Sequence, residues 1–410
     1  MNDIFLCKRC LYPSSHPLKI TFNEKGICSG CVIHEEKDTL DWQYRLLKLQ
    51  KIIKEYKTKK NAYDCIIPVT GANDSYYTVH VAKNILKLNP LLVHYNKYYN
   101  TPIGIRNLAN LRRKFDCDIY FKNINPKVIK KITQETMHMA GSVYWHCLAG
   151  HTVYPVQVAR DMKIPLIIWG EHQGLQQVGM FSHKNEVEMT RRYRKDHDLM
   201  GFEPKDLIKV TNNLTMDDLH PYEYPSDKTI NKIGIRGIYL GNYIRWDPIM
   251  QHNLMINKFG YKSSKLDRTF DAYDYIDSYI YTGVHDKTKY LKNGYTKITD
   301  HVCREIRYKR ISRECGIKLI NFYENKKDKF EMLFIKWLEI NSDGLNLFYN
   351  EIRNKSIWKE VSPNKWKKNY PSLKIKRNSL KKNSYKKYYI INSEINYGQE
   401  KKYIVFGKGI

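Results

Sequence analysis

Long hydrophobic runs are missing from this 410-residue chain. The most apolar stretches, Cys65-Ile66-Ile67-Pro68-Val69 and Pro165-Leu166-Ile167-Ile168-Trp169, fall far short of the ~20 residues that a membrane-spanning helix needs. The start, Met1-Asn2-Asp3-Ile4-Phe5-Leu6, has neither a basic n-region nor a long apolar h-region, so no secretory leader is expected. A soluble, cytoplasmic protein is the expectation. No internal repeat is present, which argues against a solenoid. Neither G-x4-G-K-[ST] nor G-x-G-x-x-G occurs, which excludes a Walker-type phosphate loop and a dinucleotide fingerprint. Acidic residues are the scarce charge, 42 Asp+Glu against 70 Lys+Arg, for a net charge of +28. Abundant Lys, Asn, Ile and Tyr read this as codon bias plus a basic tail, with a nucleic-acid or acidic-surface partner as the other reading. Residues 351–410 alone carry 16 Lys+Arg against 4 Asp+Glu.

Cysteine is present but not as a secreted disulfide framework. The count is nine, an odd number, and Cys65, Cys117, Cys147, Cys303 and Cys315 stand singly. The other four are paired. Cys7-Lys8-Arg9-Cys10 and Cys28-Ser29-Gly30-Cys31 make two C-x2-C turns separated by 17 residues. This spacing predicts a four-sulfur zinc site, with an iron–sulfur cluster or free thiols as alternatives. Four sulfurs leave zinc no open position for water, so its role is structural. His16 and His34 are expected at the surface, not as ligands.

From Ala62 the pattern alternates. Strands are predicted over Ala62–Val69, Leu91–Tyr95, Cys117–Phe121 and Ile164–Trp169. Helices are predicted over Asp74–Lys87, Ile103–Phe115, about 126–140 and about 150–161. This predicts an α/β fold with a doubly wound parallel sheet. After 170 the alternation fades, and mostly helices and loops are expected. The chain divides into a zinc module at 1–35, a linker helix at 36–61, the α/β domain at 62–180, a helical substrate or partner region at 181–345 and a basic extension at 346–410.

Between the first strand and its helix stands Thr70-Gly71-Ala72-Asn73-Asp74-Ser75. Small residues let backbone N–H groups approach a phosphate, and the helix N-terminus favours an anion. Asp74 adds a carboxylate suited to Mg²⁺ and Ser75 a hydroxyl; the plain alternative is a capped strand-to-helix turn. The hexapeptide resembles the S-G-G-x-D-S signature of PP-loop ATP pyrophosphatases, which cleave ATP to AMP and pyrophosphate. Thr70 keeps the hydroxyl of the signature Ser. Ala72 keeps the N–H of the second Gly, but a Cβ there disfavours a positive φ.

Longer motifs narrow the resemblance. Cys7-Lys8-Arg9-Cys10-Leu11-Tyr12-Pro13, Gly30-Cys31 and Trp42 resemble the start of bacterial N-acetyl sugar amidotransferases. So do Tyr144-Trp145-His146-Cys147, Trp169-Gly170-Glu171-His172-Gln173-Gly174 and Glu188-Met189-Thr190-Arg191. Residues Tyr239 to Asp247 and Thr299 to Arg307 complete a match that covers roughly residues 5–345.

The resemblance implies a PP-loop (adenine nucleotide alpha hydrolase-like) fold. It implies conversion of a sugar acetamido group to acetamidino in surface-polysaccharide or nonulosonic-acid biosynthesis, with ATP and Mg²⁺. Ammonia is implied to come from glutaminase and cyclase-like partners resembling those of histidine biosynthesis. No glutaminase is read in the chain, since Cys7 is not N-terminal and no G-x-C-x-G nucleophile turn is expected. Thr70, Gly71, Ala72, Asn73, Asp74 and Ser75 are assigned to the pyrophosphate end of ATP. His94 and Gly170 sit at strand ends where such sheets bind nucleotide, and His172 is the nearest equivalent of the family's Gly-His stretch. Glu171 is a candidate Mg²⁺ ligand or proton acceptor, or else a solvated strand-end carboxylate. Arg191, Arg245 and Arg304 are candidate anchors for a sugar-nucleotide phosphate or a uronate, or else solvated basic residues; Arg192, Arg194 and Arg307 carry the same ambiguity. Cys147 is read as packed, not nucleophilic. The competing reading is a tRNA-thiolating or other RNA-modifying PP-loop enzyme. The absence of a C-x2-C in the middle of the chain counts against it, and nucleic acid is not the expected partner.

Overall fold

The apolar runs of the first half become the strands of a single parallel sheet. The computed structural model describes residues 4–18, 20–57, 62–279, 283–369 and 373. Strands β1 (Cys65–Pro68), β2 (Pro90–Tyr95), β3 (Ile119–Lys122), β4 (Leu166–Trp169) and β5 (Arg236–Tyr239) lie in the order β3-β2-β1-β4-β5. Every neighbouring pair is parallel, for example Ile66 beside Leu91 and Ile168 beside Ile238. The alternation of the strands decides which residues meet which helices. Ile67, Leu92, Ile168 and Ile238 face one core with Tyr76, Val79, Leu111 and Met255, whereas Ile66, Leu91, Val93 and Ile167 pack on Val156 and Ala159. Both faces are dry, so truncating a central isoleucine such as Ile67 to Ala costs about 2–5 kcal/mol.

Local signals set the helices. Helix α2 (Trp42–Tyr56) begins at Asp41, whose carboxylate accepts the N–H groups of Gln43 and Tyr44. Helix α4 (Pro102–Phe115) has Thr101 as its cap and proline first. Helix α5 (Pro126–Ala140) repeats that arrangement with Asn125 and stops at Gly141, in the left-handed conformation. Helix α6 (Trp145–Met162) lies on the sheet. Helix α3 (Asn73–His80), which follows the phosphate loop, runs on as a π turn through Ile85.

The structure departs from the sequence reading in three places. The sheet does not end at Trp169, because Arg236–Tyr239 returns as a fifth strand. Its four residues include Arg236 and Gly237 and have no alternating pattern to announce them. The N-terminal module does not stand apart. Cys7, Cys10, Leu11, Tyr12, Cys28 and Cys31 share a core with Ile298, Val302, Cys303 and Ile306 of the helix Lys297–Arg307. The cysteine module ends in a helix of its own, α1 (Ser29–Glu36), and α2 in the linker buries Leu49, Ile52 and Ile53 against the sheet domain while Leu47 is exposed.

A hairpin of β6 (Trp358–Ser362) and β7 (Lys365–Lys368) opens the basic extension. The basic tail beyond it, apart from Leu373, lies outside the described residues. Among the described residues no helix is long and apolar enough to cross a membrane.

Candidate active site and four-cysteine cluster

The phosphate loop holds itself in shape. The Ser75 hydroxyl accepts the Thr70 N–H at 2.9 Å, and Thr70 Oγ1 accepts the Ala72 N–H at 3.2 Å. Gly71 has φ +84°, and a Cβ there would come within 3.0 Å of the Gly104 carbonyl. Glycine is therefore required at 71. Ala72 has φ −78° in extended backbone, so the alanine carries no conformational penalty. No side chain caps α3, so its first N–H groups are available to an anion. The Asn73 amide is fully buried and neither of its polar atoms has a protein partner. An orphaned buried amide beside a free helix N-terminus fits a phosphate-bearing nucleotide.

Three cavities join at this loop. Thr70, His94, Gly104, Leu108, Phe121 and Asp277 line the first, at the C-terminal end of β2. Thr70, Ala72, Asp74, Ser75, Lys97, Gly170 and Glu171 line the second, in front of the loop. Asp74, Glu171 and Asp274 continue from the second into the third, which also takes in Tyr12, Trp246, Lys297, His301, Arg304 and Arg307. The series lies at the C-terminal ends of β1, β2 and β4, where the strand order turns back on itself, the usual ligand crevice of such a sheet.

The third cavity concentrates carboxylates. Asp74 is pushed up to about 7, first by burial and then by Asp274. Asp274 rises to about 6 through burial and Asp271. Burial pushes Glu171 well above the carboxylate range, with Lys37 pulling the other way. Lys37, at the C-terminal end of α1, is buried and stands 3.9 Å from Glu171; burial lowers its ammonium to about 8. It also donates to Gln176 Oε1 at 2.7 Å. Arg304 donates to Asp271, Asp274 and Glu305, and so supplies the main counter-charge.

The residues proposed from sequence divide accordingly. Thr70, Ala72, Asp74, Ser75, Gly170, Glu171 and Arg304 line the joined cavities, and His94 lines the first. The His94 ring donates from Nδ1 to the Val69 carbonyl at 2.9 Å, and burial lowers it to about 4, leaving Nε2 as a neutral acceptor. His172 is buried elsewhere, with Nδ1 accepting the Gly174 N–H and its ring against Tyr193 and Tyr239. Arg245 binds the Lys37 carbonyl and Asp38. Arg191 pairs with Glu203 and lines a separate cavity with Arg160, Lys205 and Tyr224. Arg194 is buried over the Trp169 ring, and Arg192 is exposed. Cys147 is fully buried and its thiol pKa is raised, so it is packed. Sequence reasoning missed Asp274 and His301 as cavity residues, and Lys37 and Asp271 as buried charged groups paired with Glu171 and Arg304 beside them.

Cys7, Cys10, Cys28 and Cys31 are all buried, with Sγ atoms within 4.8 Å of one another. Zinc fits this donor set: Zn–S bonds of about 2.3 Å place tetrahedral sulfurs about 4 Å apart. The N–H groups of Arg9, Cys10 and Cys28 donate to Cys7 Sγ at 3.3–3.4 Å, and Arg307 Nη2 lies 3.5 Å from Cys28 Sγ. His16 and His34 are outside the cluster but buried, not at the surface: His16 packs on Tyr295 and His34 on Tyr308. Gly26-Ile27-Cys28-Ser29-Gly30 does have the G-x-C-x-G spacing of a glutaminase nucleophile turn, but its cysteine belongs to this cluster.

Residues 240–373 match the family model described as LPS biosynthesis protein WbpG-like, C-terminal domain. An uncharacterized protein of Methanocaldococcus jannaschii is 28% identical over 121 residues, which cover 28% of this chain and 42% of that protein. The chain thus spans less than half the length of that curated relative. Among solved structures, an NH3-dependent NAD synthetase from Campylobacter jejuni aligns over 46% of this chain and 99% of its own, at 13% identity and a TM-score of 0.28.

Proposed function

We propose that this chain is an ATP-dependent, AMP-forming amidotransferase that turns a sugar acetamido group into an acetamidino group during surface-polysaccharide biosynthesis, O-antigen or nonulosonic acid. The fold is read as a doubly wound sheet of PP-loop type. One observation carries the proposal: Asp74 of the phosphate loop and Glu171 at the end of β4 both belong to the cavity in front of the loop and to the next one. A nucleotide and an acceptor can therefore meet between them. The match of residues 240–373 to a lipopolysaccharide-biosynthesis domain supports the substrate class, because that segment supplies Asp274, Lys297, His301 and Arg304 to the acceptor side.

In this reading the base lies against His94 and the pyrophosphate end on the α3 N-terminus. Asp74 would hold Mg²⁺, which would supply charge neutralisation at the phosphates. An amide carbonyl is a poor electrophile and its oxygen a poor leaving group. Transfer of AMP to that oxygen, with release of pyrophosphate, removes both obstacles. Ammonia then attacks the imidate carbon, and AMP leaves with the oxygen. Glu171 accepts the proton that the attacking nitrogen sheds, and Lys37 holds the carboxylate in place. Arg304 orients the acceptor side, and zinc in the four-cysteine cluster is structural. Glutaminase and cyclase-like partners deliver the ammonia.

The test is incubation with ATP, Mg²⁺, ammonium and a panel of diacetamido sugars. AMP, pyrophosphate and a sugar product about one mass unit lighter, since NH replaces O, are expected. AMP release triggered by tRNA and by no sugar would favour the RNA-modifying reading instead.

A further inference from the structure

Carboxylates crowd the acceptor side of the cleft. Four carboxylates, Asp74, Glu171, Asp271 and Asp274, converge there. Arg304 is shared among Asp271, Asp274 and Glu305, and Lys297 is drawn to Asp300. Lys37 stands against Glu171, and one further group faces Asp274. His301 is 2% exposed; its Nδ1 is hydrogen-bonded to Thr269 Oγ1 at 2.6 Å, and its Nε2 has no hydrogen-bond partner. That nitrogen points at Asp274 Oδ2 from 3.7 Å, too far for a hydrogen bond. An imidazole oriented through one nitrogen by a hydroxyl, with the other nitrogen bare toward carboxylates, is the arrangement of a metal-ligating histidine with its supporting partner.

We infer that Asp271, Asp274 and His301 form a divalent-cation site of mixed oxygen and nitrogen donors, suited to an ion of the manganese class. One ligand atom from each residue lies within 4.8 Å of the others, as a single ion of that size requires. Asp274 and His301 line the acceptor cavity, so the remaining coordination positions open toward a bound oxygen anion. Arg304 holds Asp274 Oδ2 at 2.6 Å and Asp271 Oδ2 at 2.5 Å, and is the competing resident cation. The site does not include Asp74, which would hold the nucleotide's Mg²⁺ in the proposed reading. It does not rest on the amidotransferase reading, because it is defined without ATP or sugar.

The experiment uses the full chain with zinc bound, titrated with MnCl2 in the absence of nucleotide and followed by electron paramagnetic resonance. Saturable uptake of one Mn²⁺ per chain is expected, with a ¹⁴N coupling from one imidazole in the pulsed spectrum. His301→Gln should abolish the coupling and weaken binding at least tenfold, and Asp274→Asn should weaken it similarly. Asp74→Asn should retain the coupling. If Mn²⁺ binds without a nitrogen coupling, or if His301→Gln binds as tightly as the parent chain, Arg304 alone neutralises the carboxylates and the inference is wrong. Should a variant fail to fold, the coupling in the parent chain still decides. A chain that gives the coupling but no AMP from any sugar would sink the amidotransferase reading and leave this site standing.

Discussion

Lys37 Nζ stands 3.9 Å from Glu171 Oε1, a contact that ties the helix leaving the second C-x2-C turn to the end of the fourth strand. Burial drives the two groups toward neutrality from opposite sides, lowering the lysine to about 8 and raising the glutamate. Below about pH 8 the ammonium persists and holds the carboxylate; above it the cation is lost. Amidine formation at a fixed concentration of free ammonia should therefore decline above pH 8. Lys37→Met should lower the rate about 100-fold below pH 8 and remove the alkaline decline, so that parent and variant converge above it, and Lys37→Arg should move the decline upward. An unchanged pH profile in Lys37→Arg would remove Lys37 from the chemistry.

Asp74 makes a stability prediction. Its folded-state pKa, about 7, lies above the ordinary value, so the folded chain binds that proton more tightly than the unfolded chain. Stability of the nucleotide-free protein should then fall as pH rises from about 4 to about 7, and Asp274 acts in the same direction. Asp74→Asn removes the Asp74 contribution. Denaturation curves should show the variant gaining over the parent between pH 4 and pH 8, by about 4 kcal/mol at most. A gain that does not change with pH would contradict the burial argument.

The loop offers a paired test. Gly71→Ala forces a Cβ toward the Gly104 carbonyl at a left-handed φ and should cost about 1–2 kcal/mol and at least a tenfold loss of ATP affinity. Ala72→Gly, at φ −78°, should cost at most about 1 kcal/mol and leave affinity within about threefold. Calorimetric titration with ATP reads both. Equal losses would mean that the loop rearranges on binding.

Arg307 joins the cysteine cluster to the cleft. Its Nη2 lies 3.7 Å from Cys10 Sγ, and its Nη1 donates to the Gln176 and Gln177 carbonyls. A Cβ on Gly30 would collide with the same guanidinium, which is why glycine stands inside the second C-x2-C. Arg307→Met should lose zinc to a chelator at least tenfold more readily, and Cys28→Ser should lose zinc and thermal stability together. Normal folding of the chain without metal would refute the structural role.

The strands and the loop were legible because their signals are local. Ile66-Ile67 and Ile167-Ile168 announce buried strands, and Asp74-Ser75 opens a helix directly after one of them. The four cysteines were legible because their spacing is a ligand geometry. The rest depends on tertiary contact. Lys37 is one of 70 basic residues, and only the docking of α1 against residues Gly174–Val178 makes it special. Asp271 and Asp274 meet His301 across an intervening helix. Arg245 and His172 look like site residues in sequence, but Asp38 in one case and Gly174 with two tyrosines in the other take up their polar and ring contacts.

The central claim is that ATP activates the acetamide oxygen itself. A diacetamido sugar labelled with ¹⁸O in its acetamido carbonyl, supplied with ATP, Mg²⁺ and ammonium, follows that oxygen directly. The account predicts AMP about two mass units heavier, with unlabelled pyrophosphate and an unlabelled amidine. Label recovered in inorganic phosphate beside ADP, or retained in the sugar while AMP is formed, would contradict it.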